Sequence, residues 1–159
     1  MTSQVLSTQV SQGRDFTPWT RFLRAYAALT RELSGRLEQA HGLSLRDYDV
    51  LVQLYAAPER RMRRIDLART VLLSPSGITR LLEGLERAGL VGKHHCASDQ
   101  RVTYAVLTEA GAAKFEEASA THRADVDELF ASQFNREEWE QLAELLGRLP
   151  LADAGACNT

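Results

Sequence analysis

The chain has 159 residues, 44% of them apolar and 25% charged, and a net charge of −2. That composition describes one globular domain able to bury a core without staples. It argues against a helical membrane span, which needs ~18 consecutive apolar residues, against a disulfide framework, since Cys96 and Cys157 are its only cysteines, and against a uniformly basic polyanion binder.

Read from the start, "MTSQVLSTQVSQGRD" lacks a basic segment followed by an apolar block, so no export signal is expected and the location is cytoplasmic. Residues 1–15 are expected to be a flexible tail, 16–150 the domain and 151–159 a disordered C-terminal tail. Trp19, Phe22, Leu23, Tyr26, Leu29, Leu33 and Leu37 recur at helical spacing, which predicts a long helix from about Pro18 to Ala40, ended by His41-Gly42. "SLRDYDVLVQLYAA" repeats the pattern with Leu45, Tyr48, Leu51, Val52 and Tyr55 and stops at Pro58. A basic link, "ERRMRR", leads to a short helix, "IDLARTVLL", expected to bury Ile65, Ala68 and Leu72.

The next helix opens Ser74-Pro75-Ser76-Gly77. Ser74 is placed to cap it and Pro75 suits its first position. Gly77 is unusual, because glycine costs a helix ~1 kcal/mol relative to alanine. Either its bare turn admits a close neighbour such as DNA, or it only allows tight packing. Ile78, Leu81, Leu82 and Leu85 are expected inward, with Gly89 past the end. The period then changes to that of strands: "LVGKHH" and "RVTYAVL" form a hairpin around "CASDQ", the second run setting Val102, Tyr104 and Val106 against Arg101, Thr103 and Ala105. Thr108 starts a helix with Phe115, Ala118, His122, Val126, Leu129 and Phe130 on one face. A last helix, carrying Trp139, Leu142, Leu145, Leu146 and Leu149, begins with a capping pattern from Asn135 to Glu138.

The order is that of a helix-turn-helix followed by a β-hairpin wing, and the fold class is mostly α with a small hairpin between long terminal helices. Charge divides along it. Residues 59–101 hold nine Arg/Lys and five acids, whereas 109–150 hold ten acids and four bases. One lobe is thus suited to a polyanion. In such motifs the second helix enters the major groove N-terminus first, which makes Ser74, Ser76 and Gly77 candidates for close approach and Thr79 and Arg80 candidate base readers. The apolar stripes at both ends exceed what one small core can cover, so part of them is expected to face a second copy, with Trp19, Phe22, Phe130, Phe134, Trp139 and Leu146 as candidates.

Enzymatic motifs are lacking: there is no nucleophile elbow, no glycine-rich phosphate loop and no zinc-protease spacing. His94 and His95 are adjacent on a strand and point to opposite faces, so no metal site and no cofactor is expected.

Through "LSLRDYDVLVQL", "IDLARTVLLSPSGITRLLEGLERAGLV", Asp99-x-Arg101 and "LTEAGAAKF", residues 18–150 resemble the MarR family of winged-helix transcriptional regulators. The resemblance implies a homodimer joined by its first and last helices that binds double-stranded DNA at a pseudo-palindromic operator. It places Ser74, Ser76, Thr79 and Arg80 at the major groove and Arg101, oriented by Asp99, at the minor groove. It also implies a repressor released by a small aromatic or phenolic anion, held in a crevice near Trp19, Tyr48, Asp49 and Arg80. One subgroup responds to urate through a tryptophan, an aspartate and two arginines; Trp19, Asp49 and Arg80 stand at three of these positions and Lys93 at the fourth. An Asp49–Arg80 pair would hold the recognition helix in register until an anion displaced it. The alternative is a winged-helix module for protein–protein assembly, with the acidic C-terminal helices as its working surface.

Overall fold

A computed structural model describes residues 15–71, 73–95 and 102–150. Its elements are α1 (Thr17–His41), α2 (Leu45–Ala56), β1 (Arg61–Arg63), α3 (Arg64–Thr70), α4 (Pro75–Arg87), β2 (Val91–His95), β3 (Thr103–Leu107), α5 (Glu109–Leu129) and α6 (Arg136–Gly147). Local chemistry sets most boundaries. Ser44 and Asp47 form a reciprocal capping box on α2, and Asn135 and Glu138 do the same on α6. α1 ends at Gly42, whose φ of 67° is the left-handed conformation that glycine adopts without cost. Gly89, at φ 74°, turns the chain after α4 in the same way.

The core lies in the middle of the chain. Leu37, Val50, Leu51, Leu54, Leu67, Ile78, Leu82 and Leu85 are buried together, closed by Val91, Ala105 and Leu107 from the sheet and by Ala112 and Ala118 from α5. Three expectations need correction. The link "ERRMRR" contains a strand: β1 pairs antiparallel with β3 in a three-stranded sheet of order β1-β3-β2, so the hairpin is extended rather than free-standing. On α3, Leu67 and Ala68 are buried while Ile65 is 54% exposed, because a helix of one or two turns has one inner stripe and Leu67 takes it; Leu72 lies outside the described residues. On α2, Val50 and Leu54 join Leu51 at full burial, whereas Leu45, Val52 and Tyr55 pack at the margin. On β3 the alternation resolves with Ala105 and Leu107 inward and Tyr104 and Val106 outward. The outer face of Tyr104 is covered by arginine rather than by core, as described below.

The two ends differ from this middle. Phe16, Trp19, Phe22, Leu23 and Tyr26 are exposed along the first half of α1, and α6 buries none of its residues. Among the described residues no helix is long and apolar enough to cross a membrane.

Candidate nucleic-acid interface

Helix α4 is seated by Ile78, Leu82 and Leu85, which leaves its opposite face and first turn in solvent. At that turn Ser74 Oγ accepts from Gly77 N at 3.1 Å and lies 3.2 Å from Ser76 Oγ. The glycine is explained by this cap: a Cβ on Gly77 would meet Ser74 Oγ at 3.2 Å and the Leu73 side chain at 3.7 Å, so the bare position makes room for the capping hydroxyl and the preceding turn rather than for α3. Thr79 Oγ1 is likewise engaged locally, donating to Pro75 O at 2.8 Å. Three of the four predicted major-groove side chains, Ser74, Ser76 and Thr79, therefore have their oxygens engaged at the helix start. Ser76 remains exposed, and Arg80 is exposed and engages no described residue. Asp99 and Arg101, the predicted minor-groove pair, lie outside the described residues, as do Cys96 and Cys157.

Beside α4 the sheet gathers positive charge that the sequence analysis had treated as a link. Arg61 and Arg63 project from β1 next to Tyr104: the Arg61 guanidinium lies 5.5 Å from the ring centre, and Arg63 Nε donates to Tyr104 Oη at 3.4 Å. Arg60 lies 5.3 Å from the Tyr55 ring centre. The run of arginines in "ERRMRR" was the available signal; its pairing with β3 was not visible, because a three-residue charged strand has no apolar period. Lys93, at the root of the wing, meets Glu86 of α4 at 2.7 Å.

A second site lies on the far side of α2. A cleft of about 930 Å³ runs between α1, α2, α5 and the α3–α4 turn, with Tyr26, Arg31, Arg46, Tyr48, Asp49 and His122 among its walls. Tyr48 and Asp49 of the predicted ligand set are together here; Trp19, Arg80 and Lys93 do not line it. Asp49 does not pair with Arg80: its side-chain partner is Gln53, and burial pushes its carboxyl up from the ordinary aspartate value. The His122 ring sits 4.7 Å from that of Tyr48, its Nδ1 is buried with no partner among the described residues, and burial holds its pKa below the usual imidazole value. His122, Arg31 and Arg46 were missed because they come from three helices whose juxtaposition no local pattern shows. Among the described residues no cluster of three or more His, Cys, Asp or Glu could hold a metal ion.

A model of the MarR family matches residues 41–102, the stretch that includes α2, the helix-turn-helix and the first wing strand. The HTH-type transcriptional regulator MhqR of Bacillus subtilis is 30% identical over 128 residues, which cover 80% of this chain and 86% of that protein. The chain belongs to the MarR family. AbsC, a MarR family transcriptional regulator from Streptomyces coelicolor, is 33% identical over 81% of this chain and 86% of its own, with a TM-score of 0.75. Sco3205, from the same organism and solved in complex with DNA, is 26% identical over 84% of this chain and 86% of its own, with a TM-score of 0.77. In this MarR-family chain the winged helix-turn-helix is thus α3, α4 and the β2–β3 hairpin, with β1 completing the sheet.

Proposed function

We propose that the chain is a sequence-specific DNA-binding transcriptional regulator, acting in the cytoplasm as a homodimeric repressor that a small aromatic or anionic ligand releases. The observation that carries this is the first half of α4: capped, exposed, slim, and followed by an arginine with no described partner. An N-terminal helix turn offers free N–H groups and the positive end of the helix dipole to phosphate, and an unengaged arginine is suited to guanine O6 and N7. Ser76 and Arg80 are the readers, with Ser74 and Thr79 shaping the turn they stand on. Asp99 and Arg101 serve the minor groove.

Dimerisation is supported by the exposed aromatic stripe of α1, where Trp19 is 57% exposed and, among the described residues, stacks only on Phe22 of its own helix, at 6.2 Å, and by α6, none of whose residues is buried. Repression follows from occlusion, because a dimer reading two half-sites ~10 bp apart covers the duplex between them. For the ligand, the Tyr48–Asp49–His122 cleft supplies aromatic walls and two arginines, which suits a small aromatic anion. A gel shift on the DNA upstream of the chain's own gene tests the reading, with operator retarded at concentrations that leave scrambled duplex free. Equal retardation of both would refute sequence-specific binding and favour the assembly module.

A further inference from the structure

Four consecutive residues, Arg61 to Arg64, carry three guanidinium groups into the corner where β1 meets α3. Residues two apart on a strand share a face, and Arg63 and Arg61 lie across from Tyr104 and Val106 of β3. Both therefore stand on the outer face, Arg61 over the Tyr104 ring and Arg63 bonded to its hydroxyl. Arg61 is also neutralised by Glu59 at 2.5 Å. Arg64 is different. It makes no hydrogen bond or ion pair with any described residue, and its Nη2 is buried without a partner.

Arg63 and Arg64 line a crevice of about 430 Å³ whose other walls include Pro75 and Thr79 of α4 and Val102 and Thr103 beside the wing. A partly dehydrated guanidinium with no counter-charge among the described residues is costly to keep unless an anion completes it. The charge is spread over the whole group, so that anion need not touch the buried nitrogen.

We infer that this crevice seats a phosphodiester of the DNA backbone on Arg64, with Arg63 beside it, as an anchor that holds the duplex without reading its bases. The inference rests on the DNA-binding reading above. The crevice shares Pro75 and Thr79 with the exposed start of α4, so a duplex laid on Ser76 and Arg80 brings its backbone past the opening. A free anion would have only the guanidiniums of Arg64 and Arg63 to hold it against water, whereas a backbone phosphate arrives already positioned by the neighbouring contacts. Tyr104 holds Arg63 in place beforehand, which lowers the entropy lost when a phosphate arrives.

The test uses the full chain, with labelled operator and scrambled duplexes titrated by fluorescence anisotropy over a series of salt concentrations. Arg64→Gln is expected to weaken binding to both duplexes by the same factor, about tenfold, and to lessen the slope of log affinity against log salt by about one. Arg64→Lys should keep most of the slope, and Arg63→Gln should change it in the same direction by less. An unchanged slope in Arg64→Gln overturns the anchor, and so does a loss confined to the operator. Equal losses in Arg64→Lys and Arg64→Gln, accompanied by a lowered melting temperature, would make Arg64 a structural residue and also overturn it. If Arg80→Ala abolishes discrimination while Arg64→Gln has no effect, the anchor fails and the DNA-binding reading stands. If the wild-type chain binds neither duplex, both fail.

Discussion

The middle of the chain and its two ends place their large apolar side chains in opposite environments. Between Leu37 and Leu107 leucine after leucine is sealed from solvent, and the sheet closes the base of the cluster. In α1 the aromatic residues Trp19, Phe22 and Tyr26 stack on one another in the open, with ring centres 6.2 and 6.5 Å apart. At the other terminus Phe130, Phe134 and Trp139 form a small cluster of their own around the start of α6. The middle can be stable within one copy of the chain. The ends have the composition of a core without enough protein to cover it, which is the difference expected between a half that can fold within one copy and a half that the proposed dimer would complete.

Substitutions in the middle should therefore have the largest effects, independent of protein concentration. Leu51→Ala is expected to cost roughly 2–5 kcal/mol. Gly111→Ala should cost more than about 3 kcal/mol, since a Cβ there would fall 2.0 Å from Leu90 O, a backbone atom that cannot turn aside. Denaturant melts at two protein concentrations check both; a midpoint that moved with concentration as much as with the substitution would blur the division between the regions. Trp19→Ser, at one end, should leave the chain folded and weaken self-association by about 2 kcal/mol, read by sedimentation equilibrium. Undiminished association would assign the stripe to some other partner.

Arg80→Ala should cost about 1–3 kcal/mol of preference for operator over scrambled duplex with little change in melting temperature, because the side chain is exposed and makes no hydrogen bond or ion pair with any described residue. The smallest effect concerns pH. His122 is held below its ordinary pKa by burial, so as pH falls through about 6.5 the unfolded chain takes up its proton first. Stability present above that pH is lost below it. His122→Gln should flatten the decline in melting temperature on this acid side; an unchanged profile would show that the imidazole is equally hydrated in both states. Asp49, whose carboxyl is pushed up, works in the opposite sense at more acidic pH.

What the sequence made legible follows chemistry that is local. Ser74, and Asn135 with Glu138, cap the helices they are expected to cap, and Thr108 starts α5 as its cap; the box of Ser44 with Asp47 is equally local and follows the same S-x-x-D spacing. Where burial depends on distant partners, reading failed. Alternation along β3 separates Tyr104 and Val106 from Ala105 without saying which face is inward, and β1 decides it by laying arginines against Tyr104. The expected burial of Ile65 fails while that of Ala68 holds, because a short helix offers two candidate stripes and only its neighbours choose between them. The cleft was half legible. Tyr48 and Asp49 were found on one helix, whereas Arg31 and His122 needed the packing of α1 and α5.

The joint between the wing and α5 has a mechanical consequence. Thr108 Oγ1 donates to Gly89 O at 2.7 Å and accepts from Gly111 N at 2.9 Å, Thr108 N donates to Leu90 O at 3.1 Å, and Gly111 presses directly on that carbonyl. Helix α5 thus starts clamped to the turn that ends α4 and cannot slide or swivel on its own. Its 21 residues make a rod about 30 Å long. A tilt of about 5° entering at the far end emerges at the clamp as about 3 Å, close to the ~3.4 Å rise of one base-pair step. In the proposed dimer two such rods, pivoting where the copies would meet, would act as the arms of a pair of callipers, and a wedge far from the DNA would put both tips out of step with the duplex.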